Sequence, residues 1–197
     1  MYTLQFDTEG ARGEAAHEMA YVIRQKDTNN CVTFGEWAKN GNLSEFVANM
    51  AEDILHFGIR HINMWGKTDY NSLWHTLDKK ARDAYHEAWS SYPNYEKSEL
   101  ADLTEKVKWH DATVYCQHIL YTDDDLLNEY LIFNGFRATG MCKLENLARF
   151  VYNNPRYRQT HHALEDCYDA QSVHLFFAQH DLANSIRWEG SFEMSRA

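Results

Sequence analysis

The sequence predicts an α/β protein built on a mixed β-sheet with α-helices packed against its faces. Two observations point there. Strand-like stretches lead the chain, and from Asn42 onward helical and strand-like segments alternate, the pattern that covers a sheet with helices. The 197 residues are one domain's worth, here expected to be a single domain with its core over about residues 2–180 and a helical insertion over about 90–140. At 44% hydrophobic and 14% aromatic residues, with two prolines and nine glycines, the chain can bury a core and leaves little for linkers.

The first strand is Tyr2 to Glu9. Tyr2, Leu4, Phe6 and Thr8 alternate with Thr3, Gln5, Asp7 and Glu9, the two-residue period of a β-strand. Gly10 to Glu14 turns the chain. Met19–Gln25 and Cys31–Phe34 read as two further strands joined by a hairpin over Lys26–Asn30. From Asn42, the steps Leu43, Phe46, Val47, Met50, Ile54 and Phe57 mark a helix that stops before Gly58. His61–Trp65 is the next strand, broken by Gly66. Leu73, Leu77, Ala81, Ala84 and Ala88 line one face of a second helix that fades at Ser90–Pro93. The middle offers a charged helical stretch over Ser98–Lys106, a strand at Val107–Ala112 and a helix around Asp123–Asn134, the acidic Asp123–Asp125 run serving as its start. Leu144, Leu147, Phe150 and Val151 mark a helix ended before Pro155, and Ala163–His180 is the last long one.

Charge narrows the function classes. With 19 basic against 29 acidic side chains the net charge is −10, which argues against coating a nucleic acid through a broad basic surface. No run approaches the roughly 18 apolar residues of a spanning helix, and Met1 to Asp7 has no leader character, so a soluble cytoplasmic chain without membrane contact is expected. Cys31, Cys116, Cys142 and Cys167 are too far apart for a Cys-x-x-Cys pair and read as reduced core thiols. The histidine and cysteine pairs at 56/61, 116/118 and 174/180 give no complete four-ligand zinc spacing.

Three segments carry chemistry. Asp7 and Glu9, two apart on a strand, project from one face at its C-terminal end, where α/β sheets bind ligands. Their mutual repulsion is relieved most simply by a divalent cation. Asp69 stands where the second helix should begin, a position that the helix dipole also favours for purely structural reasons. In Thr160-His161-His162-Ala163-Leu164-Glu165-Asp166, residues five apart on a helix differ by about 140° around the axis. His161 and Asp166 can therefore share a site only if His161 lies in the preceding loop, a movable segment that suits a base approaching and withdrawing.

In chain order, Phe6-Asp7-Thr8-Glu9-Gly10, then strand-Gly66-x-x-Asp69-x-x-x-Leu73, then His161-His162-Ala163-Leu164-Glu165-Asp166, the sequence resembles the DnaQ-like exonucleases of the DEDD class, histidine subtype, a branch of the ribonuclease H-like fold. The likeness runs from Tyr2 to about His180. Glu18–Val22 fits the second strand, Asp111-Ala112-Thr113 the strand after the second motif, and Leu144–Ala148 the helix before the histidine. It departs at Gly10-Ala11-Arg12-Gly13, where a Thr-Gly pair is frequent, and at Thr68, where an aromatic residue commonly precedes the aspartate. Asp111 is the rival for the second motif. Asp69 is preferred because it follows a helix and a strand in the right order, while Asp111 precedes the β-rich Thr113-Val114-Tyr115.

The resemblance implies that Asp7, Glu9, Asp69 and Asp166 hold two Mg²⁺ or Mn²⁺ ions and that His161 is the general base. It implies a 3′-5′ exonuclease releasing nucleoside 5′-monophosphates from single-stranded DNA or RNA 3′ ends, with DNA favoured. Hard oxygen donors suit these ions, and a metal pair suits phosphodiester hydrolysis. Arg156, Arg158 and Lys67 are phosphate-contact candidates, and Tyr70 could stack a base. The alternatives are an RNA-trimming exoribonuclease or oligoribonuclease, and a non-catalytic accessory subunit docked on a polymerase or on a second copy of the chain.

Overall fold

The computed structural model describes residues 2–10, 14–26, 28, 30–91, 108–136, 140–181 and 189–191. Strands β1 (Tyr2–Glu9), β2 (Glu18–Gln25) and β3 (Cys31–Ala38) form an antiparallel meander. Helix α1 (Leu43–His56) then returns the chain so that β4 (His61–Met64) pairs parallel to β1. Helices α2 (Lys67–Thr76) and α3 (Lys79–Ser91) follow. Strand β5 (Lys108–Asp111) is parallel to β4, and β6 (Glu189–Ser191) is antiparallel to β5. The sheet order is β3-β2-β1-β4-β5-β6. Helices α4 (Ala112–Thr122), α5 (Asp124–Phe133), α6 (Leu144–Val151) and α7 (Ala163–Gln179) complete a mixed sheet flanked by helices.

The alternation on β1 decides which layer each residue joins. Leu4 and Phe6 pack with Met19, Tyr21, Ile62 and Met64 against α1, α2 and α3. On the opposite face Ala20 and Val22 pack against Ala163 and Cys167 of α7. Beyond α7, Val173 and Phe177 join Cys116, Leu120, Tyr130 and Leu147 in a helical cluster from α4, α5 and α6. Both faces of β1 are therefore covered, and its polar residues Gln5 and Asp7 are buried rather than solvated.

Several expectations change. The helix predicted through Leu73–Ala88 is two helices, because Leu77 is extended and Asp78 starts a new one by accepting from the Ala81 amide at 2.8 Å. Thr113-Val114-Tyr115 is helical, not β-rich: Asp111 caps α4 by accepting from the Val114 amide at 3.2 Å, and Ala112, Cys116, Ile119 and Leu120 bury the helix. Tertiary burial outweighs the β-branched preference there. The third strand runs on to Ala38, and His61–Trp65 ends at Met64 because the Trp65 amide donates elsewhere. Cys31 is exposed, so it is not a core thiol, while Cys116 and Cys167 are buried. The stretch read as a helical insertion contains β5, an integral strand of the sheet. The helix expected over Ser98–Lys106 lies outside the described residues. Among the described residues no helix is long and apolar enough to cross a membrane.

Candidate metal centre

The site forms because β1 is longer than its neighbour. β4 pairs with β1 only over Leu4–Phe6 and ends at Met64, so Asp7 to Glu9 run on past it. The chain leaving β4 turns at Gly66, whose φ of +93° is strained for any residue with a side chain. That turn brings the first helical turn of α2 under the end of β1. There Asp69 Oδ2 accepts from the Trp65 amide at 2.9 Å, and Asp69 Oδ1 accepts from the Thr8 hydroxyl at 3.4 Å.

From the other side, α7 lies on the face of β1 that carries Asp7. The Cys167 thiol reaches the Gln5 and Ala20 carbonyls at 3.7 and 3.4 Å, which sets Asp166 over the strand end. His161 lies in the loop before α7 with φ +59°, outside the helix, as the five-residue spacing requires. One ligand atom each from Glu9, His161 and Asp166 lies within 4.8 Å of the others.

Asp7, Asp69 and Asp166 are almost fully buried. Burial, and then the charges of Asp69, Asp166 and Glu9, hold Asp7 well above the usual carboxylate range. Burial also raises Asp69; the Trp65 and Thr8 hydrogen bonds oppose the rise, and Glu9 and Asp111 add to it. Asp166 is pushed up to about 8, first by burial and then by the Glu9 carboxyl against it, with the Gln159 amide pulling the other way. Glu9, His161 and Asp166 thus meet at one strand end, while Asp7 and Asp69 lie within electrostatic reach of Glu9 without joining that three-ligand group.

Asp111 is placed differently. It sits on β5, one strand further from β1, and its carboxylate is engaged as the α4 cap. It adds to the field at Asp69 and is not among the main influences on Asp7.

The donor set fits hard divalent cations. Among the described residues, Asp7 Oδ2 and Asp166 Oδ1 are buried and meet no hydrogen-bond donor, and no described basic group is among the main influences on either carboxyl. Such oxygens need a proton or a cation. Carboxylates with at most one imidazole suit Mg²⁺ or Mn²⁺ better than a thiolate-seeking metal.

Arg158 pairs with Glu145 at 2.9 Å, whereas Lys67 and Arg156 are exposed. Tyr70 is half-buried, edge-on to Trp74 at 6.3 Å. A cavity of about 400 Å³ opens between β2, β3 and the start of α7, and Glu18, Glu36 and Glu165 on its walls disfavour phosphate there.

Four residues around the site escaped the sequence reading: Thr8, Gln159, Tyr157 and Asp169. Gln159 Nε2 donates to Asp166 Oδ2, and the Tyr157 hydroxyl donates to Asp169 Oδ2. Only Asp169 carries a sequence signal, standing three residues after Asp166 and so on the same helix face. No protein-family model, curated protein or solved structure matches the chain.

Proposed function

We propose that this chain is a ribonuclease H-like, metal-dependent 3′-5′ exonuclease of the DEDD class, histidine subtype. One observation carries the reading: Glu9, His161 and Asp166, drawn from segments far apart in sequence, present one ligand atom each within 4.8 Å of one another at the C-terminal end of one strand, and the charges of Asp7 and Asp69 couple to that group. Convergence of buried like charges opposes folding, so its presence calls for a function that uses it.

Asp7, Glu9, Asp69 and Asp166 would hold the divalent ions. When bound, the ions neutralise charge on the scissile phosphate and make water a nucleophile near neutral pH. Asp7 and Asp166 offer the oxygens that meet no donor among the described residues, and the Trp65 and Thr8 hydrogen bonds orient Asp69. His161 is exposed at the mouth of the cluster, where its ring can take a proton from the attacking water. The water oxygen bonds to phosphorus, the bond to O3′ of the penultimate nucleotide breaks, O3′ takes a proton from solvent to become the new 3′-hydroxyl, and the terminal nucleotide leaves as a nucleoside 5′-monophosphate. The net charge of −10 suits a short footprint on single-stranded ends.

Purified protein incubated with matched 5′-labelled DNA and RNA oligonucleotides tests the reading. Expected is a 3′-end ladder with mononucleotide release that needs Mg²⁺ or Mn²⁺, stops with a blocked 3′ end and disappears in Asp7→Ala. Hydrolysis that survives both chelator and Asp7→Ala would exclude this mechanism. A folded, metal-binding protein with no hydrolysis of either polymer would instead favour the accessory-subunit alternative.

A further inference from the structure

The segment between α6 and α7 carries His161 and has no regular structure of its own, yet it is tied down at several points. Residues in the left-handed region bracket it, Asn153 at φ +48° and His161 at φ +59°. Non-glycine residues stay in that region only when their surroundings hold them there. The Asn153 and Asn154 amides close back on the Phe150 and Arg149 carbonyls, both at 2.9 Å. The Arg149 Nε donates to the Tyr157 carbonyl at 2.8 Å, and Gln159 reaches Asp166.

The tightest tie is a side-chain clasp. Asp169 is buried on α7, one turn beyond Asp166, with its two oxygens divided between two tyrosines. The Tyr152 hydroxyl donates to Oδ1 at 2.8 Å, and the Tyr157 hydroxyl donates to Oδ2. The rings of Tyr152 and Tyr157 meet edge-on at 5.2 Å, so the two donors support each other. The clasp joins the end of α6, the middle of the loop and the helix that bears Asp166. Nothing in the proposed chemistry uses Asp169 directly.

We propose that Asp169 is a positioning residue: held between Tyr152 and Tyr157, it fixes the loop so that His161 stays beside Glu9 and Asp166. This inference rests on the nuclease reading above. It replaces the movable segment expected from sequence with an anchored one. A carboxylate is needed because both tyrosines act as donors, and two donors call for two acceptor oxygens.

The experiment compares wild type, Asp169→Ala, Asp169→Asn and Tyr157→Phe, each also in a His161→Ala background. In Asp169→Ala, kcat should fall roughly ten- to hundredfold, the scale on which misplaced catalytic groups lose rate, with KM and Mn²⁺ affinity unchanged. Asp169→Asn and Tyr157→Phe, which keep part of the clasp, should fall less. In the His161→Ala background Asp169→Ala should cost nothing further, because its effect runs through the imidazole. Trypsin cleavage of the native protein after Arg156 and Arg158 should accelerate at least fivefold in Asp169→Ala while other sites stay protected. Tyr157→Phe gives the same readouts should Asp169→Ala fail to fold. Unchanged kcat, unchanged trypsin sensitivity, or rate losses that simply multiply with that of His161→Ala would each overturn the inference. An inactive wild-type protein would overturn the nuclease reading instead, and the trypsin comparison would then decide the anchoring alone.

Discussion

Removing one buried negative charge should stabilise the metal-free protein, and the effect should grow with pH. Asp166 has a folded-state pKa of about 8 against an ordinary value of 3.8. A carboxyl whose pKa rises on folding binds its proton more tightly in the folded state. Its favourable contribution is complete below about pH 4 and is lost as pH climbs towards 8. Between those limits the loss is about 1.4 kcal/mol per pH unit, so from pH 5 to pH 8 this group should weaken the chelated protein by about 4 kcal/mol. Asp7 and Asp69, also raised, act in the same direction. Asp166→Asn keeps the side chain's shape and removes the titration. The assay is denaturant unfolding in chelator at pH 5, 6, 7 and 8. The stability of Asp166→Asn relative to wild type should rise steadily over that range, by about 4 kcal/mol in unfolding free energy. Added Mn²⁺ should reverse the order at pH 8 by stabilising wild type more than the variant. A relative stability that stays flat or falls with pH would refute the reasoning, because it would mean that Asp166 is not buried among like charges.

Other outcomes follow from the same geometry. His161→Ala should lower turnover about 10²- to 10⁴-fold, the range for loss of a general base, while Mn²⁺ affinity measured by calorimetry is retained. Asp69→Asn should lose nuclease activity, whereas Asp111→Ala should keep most of it and instead cost about 1 kcal/mol of folding stability through the lost α4 cap, read by turnover and urea unfolding. Gly35→Ala should destabilise the protein by about 1–3 kcal/mol without touching the site. A Cβ there would stand 2.3 Å from Tyr21 Cε1, and the Tyr21 ring is buried and held to Asp53 at 2.7 Å, as a urea melt should register.

What could be read from sequence was local. A two-residue period settles which side chains of β1 share a face, so Asp7 and Glu9 were visible as a pair before any packing was known. Five-residue spacing on a helix likewise excludes a shared direction, so His161 had to leave α7, and it does. Neither inference needs knowledge of a neighbour. The choice between Asp69 and Asp111 did, because both aspartates stand at the start of a helix after a short strand. It depends on strand order: β4 lies next to β1, β5 one strand further out, and each strand adds about 4.8 Å. Other features also came from packing. Burial against neighbouring helices made Thr113–Tyr115 helical, and the early end of β4 opened the gap that Asp69 fills. The clasp on Asp169 joins residues 12 and 17 positions away, whose approach depends on how α6 packs against α7. Periodicity assigns a side chain to a face of its own element; only the contacts between elements decide which faces meet.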